Sequence, residues 1–279
     1  MLNLDTPWAQ GTFVAFDLET SGKYPLEAEI CEMAAVKWSQ GQEVGRWSSL
    51  IRPSRPMSPE VIAIHKITNE MVAQAPSLKE KLPEFLDFLG EAIGVAHHAP
   101  FDMGFLMADI ERFNLTHPPG PVLCTSLLSR QLIPESGNHR LSTLSRFLGL
   151  PQGQGHRALY DAETCWGVAL QCLGRLGEEA SLAQVFRAQG GPLHWSNYSL
   201  KVLGLRPEMD LLVQAIRQGR EVDLVYSGGS RPGQARRVRP LGLVRNPRGD
   251  FVVAVESGQD QSKRYLLDKI LEVSFPLSR

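Results

Sequence analysis

The stretch that decides the fold is Phe13-Val14-Ala15-Phe16-Asp17-Leu18-Glu19-Thr20-Ser21-Gly22. This apolar, β-prone run ends at a Ser-Gly turn signal and therefore predicts a buried strand. Side chains alternate along a strand, so Asp17 and Glu19 point to the same side. Two carboxylates this close repel each other unless a cation lies between them, and oxygen ligands suit Mg²⁺ or Mn²⁺. Alone, such a pair is more typical of a solvated strand end, so the metal-site interpretation depends on partners elsewhere in the chain.

The composition of the 279 residues gives no indication of a disulfide-bonded, secreted or membrane-spanning protein. The four cysteines are scattered, which predicts buried thiols in a reducing compartment. No apolar run approaches the about 20 residues of a membrane span, and the N-terminus lacks a signal-peptide pattern. We therefore expect a cytoplasmic protein without a membrane partner. Residues 206–279 hold 13 Lys and Arg against 9 Asp and Glu, although the whole chain has a net charge of −1. That basic tail is compatible with an anionic ligand.

The order of the predicted elements indicates two domains of different class. Strands at 13–18, 30–38, 47–51 and 95–97 alternate with helices near 59, 77–89, 101–113, 141–148 and 159–176. This predicts an α/β domain over residues 1–180. Weak periodicity and Gly190-Gly191-Pro192 predict a linker over 181–206. Short alternating runs after one helix then predict a small antiparallel β-barrel, SH3-like or Sm-like, over 207–279.

Two further acidic residues stand where they could join the first pair. Asp102 follows a predicted strand at the start of a helix, and His156 precedes Asp161 by five residues, with a helix beginning between them. A base on a loop and a ligand on a rigid helix would suit catalysis. The alternatives are a helix N-cap for Asp102, an exposed helical charge for Asp161 and an ordinary loop histidine for His156.

Together these segments resemble the DEDDh family of 3′→5′ exonucleases, which includes the proofreading subunit of bacterial DNA polymerase III and ribonuclease T. Residues 17–22, 96–102 and 156–161 match its three motifs in order, and the resemblance covers residues 10–178. It implies a ribonuclease H-like mixed sheet flanked by helices.

The resemblance also implies two-metal phosphodiester hydrolysis with two Mg²⁺ or Mn²⁺ ions. Asp17 would bridge both ions, Glu19 and Asp161 would complete the site on the nucleophile side, and Asp102 would hold the second ion. His156 would take the proton of the attacking water, a task that imidazole suits near neutral pH.

Four residues within these motifs are predicted to contact substrate: Leu18, Thr20, His98 and Phe101. The sequence departs from the family pattern at two positions. His98 stands where the second motif has asparagine, and Lys66 replaces the glycine of an I-H-G-I-T segment. Neither position is a metal ligand, so we expect activity to survive.

The implied substrate is single-stranded or 3′-end DNA, with 5′-mononucleotides as products. RNA processing is an alternative, because no motif reveals contacts to the 2′-hydroxyl. A strand-binding regulatory protein without hydrolysis is a second alternative. A polymerase or repair partner is implied by the resemblance to proofreading subunits, and the sequence leaves that partner open.

The tail resembles a WYL domain over residues 211–275, although Phe251-Val252-Val253 replaces the Trp-Tyr-Leu that names the family. Tyr226, Arg236 and Arg264 are predicted to bind a nucleotide-like ligand or a single strand. The alternative is a solvated basic surface on a structural appendage.

Overall fold

The computed structural model describes residues 2–153, 155–201, 203, 206–246 and 249–276. The chain forms two compact units. The first consists of Met1–Ser21, Ile30–Asp102 and Leu115–Ser196, and the second of Gly22–Glu29, Met103–Asn114 and Asn197–Arg279. The second unit thus includes two segments from the earlier part of the chain, and the domain boundaries at 180 and 206 stay predictions.

A five-stranded mixed sheet forms the centre of the first unit. Its strands are β1 (Thr12–Thr20), β2 (Ile30–Ser39), β3 (Gln42–Leu50), β4 (Ile93–Ala96) and β5 (Val122–Cys124). The order is β3-β2-β1-β4-β5, with β2 antiparallel to β1 and β3, and β4 parallel to β1 and β5. Gln40 and Gly41 have positive φ in the tight β2–β3 turn. The predicted mixed sheet is confirmed, and β5 was missed because it has only three residues.

Among the described residues of 59–182, the α-helices that begin are α1 (Pro59–His65), α2 (Asn69–Val72), α3 (Leu78–Leu89), α4 (Pro100–Arg112), α5 (Thr125–Leu132), α6 (Leu141–Phe147), α7 (Ala158–Leu176) and α8 (Leu182–Gln189). The five predicted helices are confirmed as α1, α3, α4, α6 and α7. The capping residue Glu80 accepts the main-chain N–H of Ser77 at 2.7 Å, as its spacing predicts. Across the described residues, no helix is both long and apolar enough to cross a membrane.

Helix α8 lies inside the segment that the sequence indicated as a linker. Its apolar face buries Leu182, Val185 and Phe186 in the core that α7 also enters. Ser181 and Gln184 cap its start reciprocally, at 2.8 and 3.3 Å. That Ser-x-x-Gln spacing was the signal for a helix that the weak periodicity concealed.

The two faces of β1 pack against different helices, and this packing determines which side of the sheet carries Asp17 and Glu19. Phe13 and Ala15 enter the core containing α7, whereas Phe16 packs edge-on against Phe85 of α3. Alternation therefore places Asp17 and Glu19 on the α7 side of the sheet.

The second unit contains a helix and a five-stranded antiparallel sheet. These elements are α9 (Pro207–Gln218), β6 (Val222–Tyr226), β7 (Ala235–Val244), β8 (Phe251–Glu256), β9 (Ser262–Leu266) and β10 (Ile270–Ser274). The strand order is β10-β6-β7-β8-β9. Among the described residues the end strands β9 and β10 do not pair with each other. Closure into an SH3-like or Sm-like barrel therefore stays a prediction.

Candidate active site

The C-terminal end of β1 carries two carboxylates on one side of the sheet. Asp17 is half-buried and Glu19 is buried. Burial, with added repulsion from Asp102, Asp161 and Glu19, raises the pKa of Asp17 well above its ordinary value. Burial and repulsion also raise the pKa of Glu19 to about 8. Both groups are therefore costly to ionise until a cation joins them.

Asp102 approaches from α4, where it is only 2% exposed. It is the third residue of that helix, so the N-cap alternative is wrong. Burial raises its pKa well above the ordinary value, against the opposing effect of backbone hydrogen bonds from Asp102 itself and Leu18. Burying a carboxylate among other carboxylates is energetically unfavourable unless a cation pairs with it.

Asp161 and His156 complete the cluster from the start of α7. His156 is exposed, has a φ of 61°, and donates its main-chain N–H to Oδ2 of Asp161 at 2.8 Å. One ligand atom from each of Glu19, His156 and Asp161 lies within 4.8 Å of the other two. Burial raises the pKa of Asp161, and the N–H of His156 opposes that rise. The chain therefore brings together residues that are more than 130 positions apart.

This donor set fits a divalent cation with oxygen ligands. The acidic oxygens come from three separate elements, and the pKa of Asp17 is raised by burial and, beyond that, by repulsion from the neighbouring carboxylates. Hard cations such as Mg²⁺ and Mn²⁺ bind carboxylate oxygens, and a bound cation would relieve this repulsion.

The four predicted substrate residues surround these acids in the sequence but take different positions. Leu18 and Thr20 are buried, and alternation along β1 directs them away from the side that carries Asp17 and Glu19. His98 is exposed and Phe101 is half-buried in the first turn of α4. Their contact with substrate stays a prediction.

Both departures from the family pattern lie at left-handed backbone positions. Lys66 ends α1 with a φ of 63°, and His98 also has a φ of 63°. Glycine and asparagine adopt this conformation most readily, so the residues of the family pattern would fit the backbone of this chain at both positions.

Two residues of this region were not predicted. Glu32 of β2 is 5% exposed and accepts hydrogen bonds from the side chain of Arg157 and the main chain of Ala158. The sequence did contain a signal for this pair: Glu32 is an acid inside the apolar run Ile30–Val36, and a buried charge needs a partner.

The structure separates the three residues predicted to bind a ligand in the C-terminal unit. The guanidinium of Arg236 lies 5.8 Å from the ring centre of Tyr226, and both side chains are buried. Arg264 is exposed, and its guanidinium lies 4.9 Å from the ring centre of Phe251. Its neighbour Tyr265 enters the core, so alternation places Arg264 on the opposite face of the sheet from Arg236.

Comparison with protein families agrees with this geometry. The family model described as Exonuclease (RNase_T) matches residues 14–169. The chain belongs to this exonuclease family. A second model, the WYL domain, matches residues 207–275, so a DEDDh exonuclease domain is followed by a WYL domain.

Curated relatives include the PolC-type DNA polymerase III of Oceanobacillus iheyensis, which is 40% identical over 170 residues, 61% of this chain and 12% of that protein. The PolC-type enzyme of Bacillus subtilis strain 168 is 36% identical over 169 residues, 60% of this chain and 12% of that protein. The chain thus matches a small part of each relative. Among solved structures, the zinc-bound complex of Escherichia coli exonuclease I with single-stranded DNA has a TM-score of 0.55 at 18% identity. It covers 90% of this chain and 56% of that one, and shows the fold alone.

Proposed function

We propose that this exonuclease uses two divalent cations to hydrolyse the phosphodiester bond at the 3′ end of a DNA strand. The products are 5′-mononucleotides. The main support is that ligand atoms of Glu19, His156 and Asp161 lie within 4.8 Å of one another. Two further carboxylates, Asp17 and Asp102, have pKa values raised well above normal. A domain that only binds strands has no need of such a costly acidic cluster.

Asp17 would be the ligand shared by both ions, with Glu19 and Asp161 on the nucleophile side and Asp102 at the second ion. Bound Mg²⁺ or Mn²⁺ would supply stabilisation of charge on the attacking and leaving oxygens. His156 accepts a proton from the attacking water at an imidazole nitrogen. Its exposure leaves that ring accessible from solvent, where a strand end would arrive.

The choice of DNA is supported by the curated relatives, which are DNA polymerases. RNA stays an alternative, since a solved structure of the same fold recognises the stem-loop of histone mRNA. That structure has a TM-score of 0.53 at 18% identity. A polymerase or repair partner and a cytoplasmic location belong to this proposal.

The deciding experiment is digestion of matched 5′-labelled DNA and RNA oligonucleotides, single- and double-stranded, with Mg²⁺ or with a chelator. We expect a ladder that shortens from the 3′ end of DNA only when Mg²⁺ is present. Stronger digestion of RNA would favour the exoribonuclease. Binding without any shortening would favour a strand-binding regulatory protein.

For the WYL domain we propose that it binds a nucleotide-like ligand or a single strand and thereby regulates the nuclease. Its outer face presents Arg264 against Phe251, a cation and an aromatic ring on which a base could stack. On the other face, Nη2 of Arg231 and Nζ of Lys263 form ion pairs with the carboxylate of Glu256 at 2.7 and 3.2 Å. The Nε of Arg236 is buried there without a hydrogen-bond partner.

Strand affinity should be measured in the full chain carrying Asp17→Asn, which prevents digestion of the probe. Arg264→Ala and Arg236→Ala are then introduced separately. We expect Arg264→Ala to weaken binding of a labelled single strand by about tenfold, the worth of one stacked base. Unchanged affinity in both variants would indicate a structural appendage.

A further inference from the structure

Glu32, which is buried, forms an ion pair with the partly exposed Arg157 beside the acidic cluster. Glu32 stands directly opposite Glu19 in the pairing of β2 with β1. Arg157 follows His156 in the chain and immediately precedes α7. The pair therefore joins the strand next to the predicted metal ligands to the segment that carries the predicted base.

The geometry of this pair restricts both position and orientation. Nη2 of Arg157 donates to Oε1 of Glu32 at 2.7 Å, and Nε donates to Oε2 at 3.1 Å. The same Oε2 accepts the main-chain N–H of Ala158 at 2.9 Å. Glu32 therefore also satisfies one of the N–H groups that the first turn of α7 leaves without a partner in the helix. Two-pronged, charge-assisted bonds of this kind are stronger than neutral hydrogen bonds and also fix the relative orientation of the two groups.

His156 needs such a support because its backbone is strained. A φ of 61° lies in the left-handed region, which is uncommon for residues with a side chain and is retained where the surroundings fix it. Asp161 holds the N–H of His156 from one side, and the clamp on Arg157 holds the following residue from the other.

We propose that Glu32 is a positioning residue of the reaction: through Arg157 and the N–H of Ala158 it holds His156 where its ring can take the proton of the attacking water. This inference rests on the proposed function. Hydrogen-bond partners that orient a metal ligand typically contribute about 10- to 100-fold to activity, and we expect an effect of the same size for a partner that orients the base.

The test compares kcat and KM for a 5′-labelled strand in Glu32→Ala, Arg157→Ala and the double variant. We expect kcat to fall about 10- to 100-fold in each single variant, with KM within about threefold of the unsubstituted chain. The double variant should lie within about threefold of the worse single variant, because residues that act as a unit are not additive. The control is Glu163→Gln in α7, which breaks the exposed ion pair between Glu163 and Arg46 of β3 and should leave kcat unchanged.

Placing Glu32→Ala in a His156→Asn background distinguishes the proposed positioning role of Glu32 from a purely structural one. If Glu32 acts through His156, its loss should then cost less than about threefold. An equal loss of kcat in both backgrounds would overturn the inference. If Glu32→Ala fails to fold, Glu32→Gln keeps an oxygen for the N–H of Ala158 and decides the same comparison. An inactive unsubstituted chain would instead overturn the proposed function, and this inference with it.

Discussion

The main-chain N–H of His156 donates a 2.8 Å hydrogen bond to Oδ2 of Asp161. The predicted base is thus tied through its backbone to a predicted metal ligand, while its imidazole is not used in that bond. A side-chain substitution at His156 should therefore remove proton transfer and preserve the position of Asp161.

Replacing His156 with asparagine should lower kcat by about 10²- to 10⁴-fold, the usual contribution of a general base. Asparagine tolerates the left-handed backbone at this position, so the hydrogen bond to Asp161 should persist. Single-turnover digestion of a 5′-labelled strand measures the rate, and calorimetric titration with Mn²⁺ should give an affinity within about threefold of the unsubstituted chain. A variant that digests at the original rate would show that another group takes the proton.

The raised carboxylate pKa values should make the metal-free protein less stable as pH rises. The pKa of Glu19 is about 8 in the folded chain against an ordinary 4.5, so the folded state binds more protons than the unfolded state across that interval. Stability therefore falls with pH through this window. The raised pKa values of Asp17, Asp102 and Asp161 act in the same direction.

Thermal unfolding in a chelator should show Tm falling from pH 4.5 to about 8, and Mg²⁺ should restore much of the loss at the upper end. Asp17→Asn is the matched control, because it removes one repelling charge and should flatten the fall. A Tm that rises across this window in the chelator, with no response to Mg²⁺, would contradict the account.

Much of the fold was predictable because local signals agreed with tertiary structure. The capping residues at Ser58 and Ser77 and the alternation in β1 marked elements that the structure contains. Strand β5 escaped prediction because its three residues, all buried, are too few to show alternation. Helix α8 escaped because its periodicity is weak, although its Ser-x-x-Gln cap stood in the sequence.

Lys66→Gly should stabilise the chain by about 1 kcal/mol, because lysine is strained at a φ of 63° and glycine is not. Chemical denaturation measures the change in the free energy of unfolding. Lys79→Gly, in the right-handed helix α3, is the control and should destabilise instead. Loss of stability in Lys66→Gly would mean that the lysine side chain contributes more than the backbone strain costs.

The site was predictable only in part, and the reason is physical. Resemblance to the family motifs indicated the four acids and His156, which lie in the last four residues of β1, in the first turns of α4 and α7, or just before α7. The partnership of Glu32 with Arg157 crosses 125 positions, and no local pattern records it. The separation of Arg264 from Arg236 likewise depends on which face of its own strand each occupies, a register that the loose WYL motifs left open.

The most direct test of the central claim is the digestion of a 5′-labelled DNA strand by the full chain and by Asp17→Asn, with Mg²⁺ and with a chelator. Asparagine preserves the size of the side chain and removes the charge shared by both predicted ions. We expect progressive shortening from the 3′ end by the unsubstituted chain in Mg²⁺ alone, and a loss of at least about 10³-fold in Asp17→Asn. Equal digestion by both proteins would contradict it.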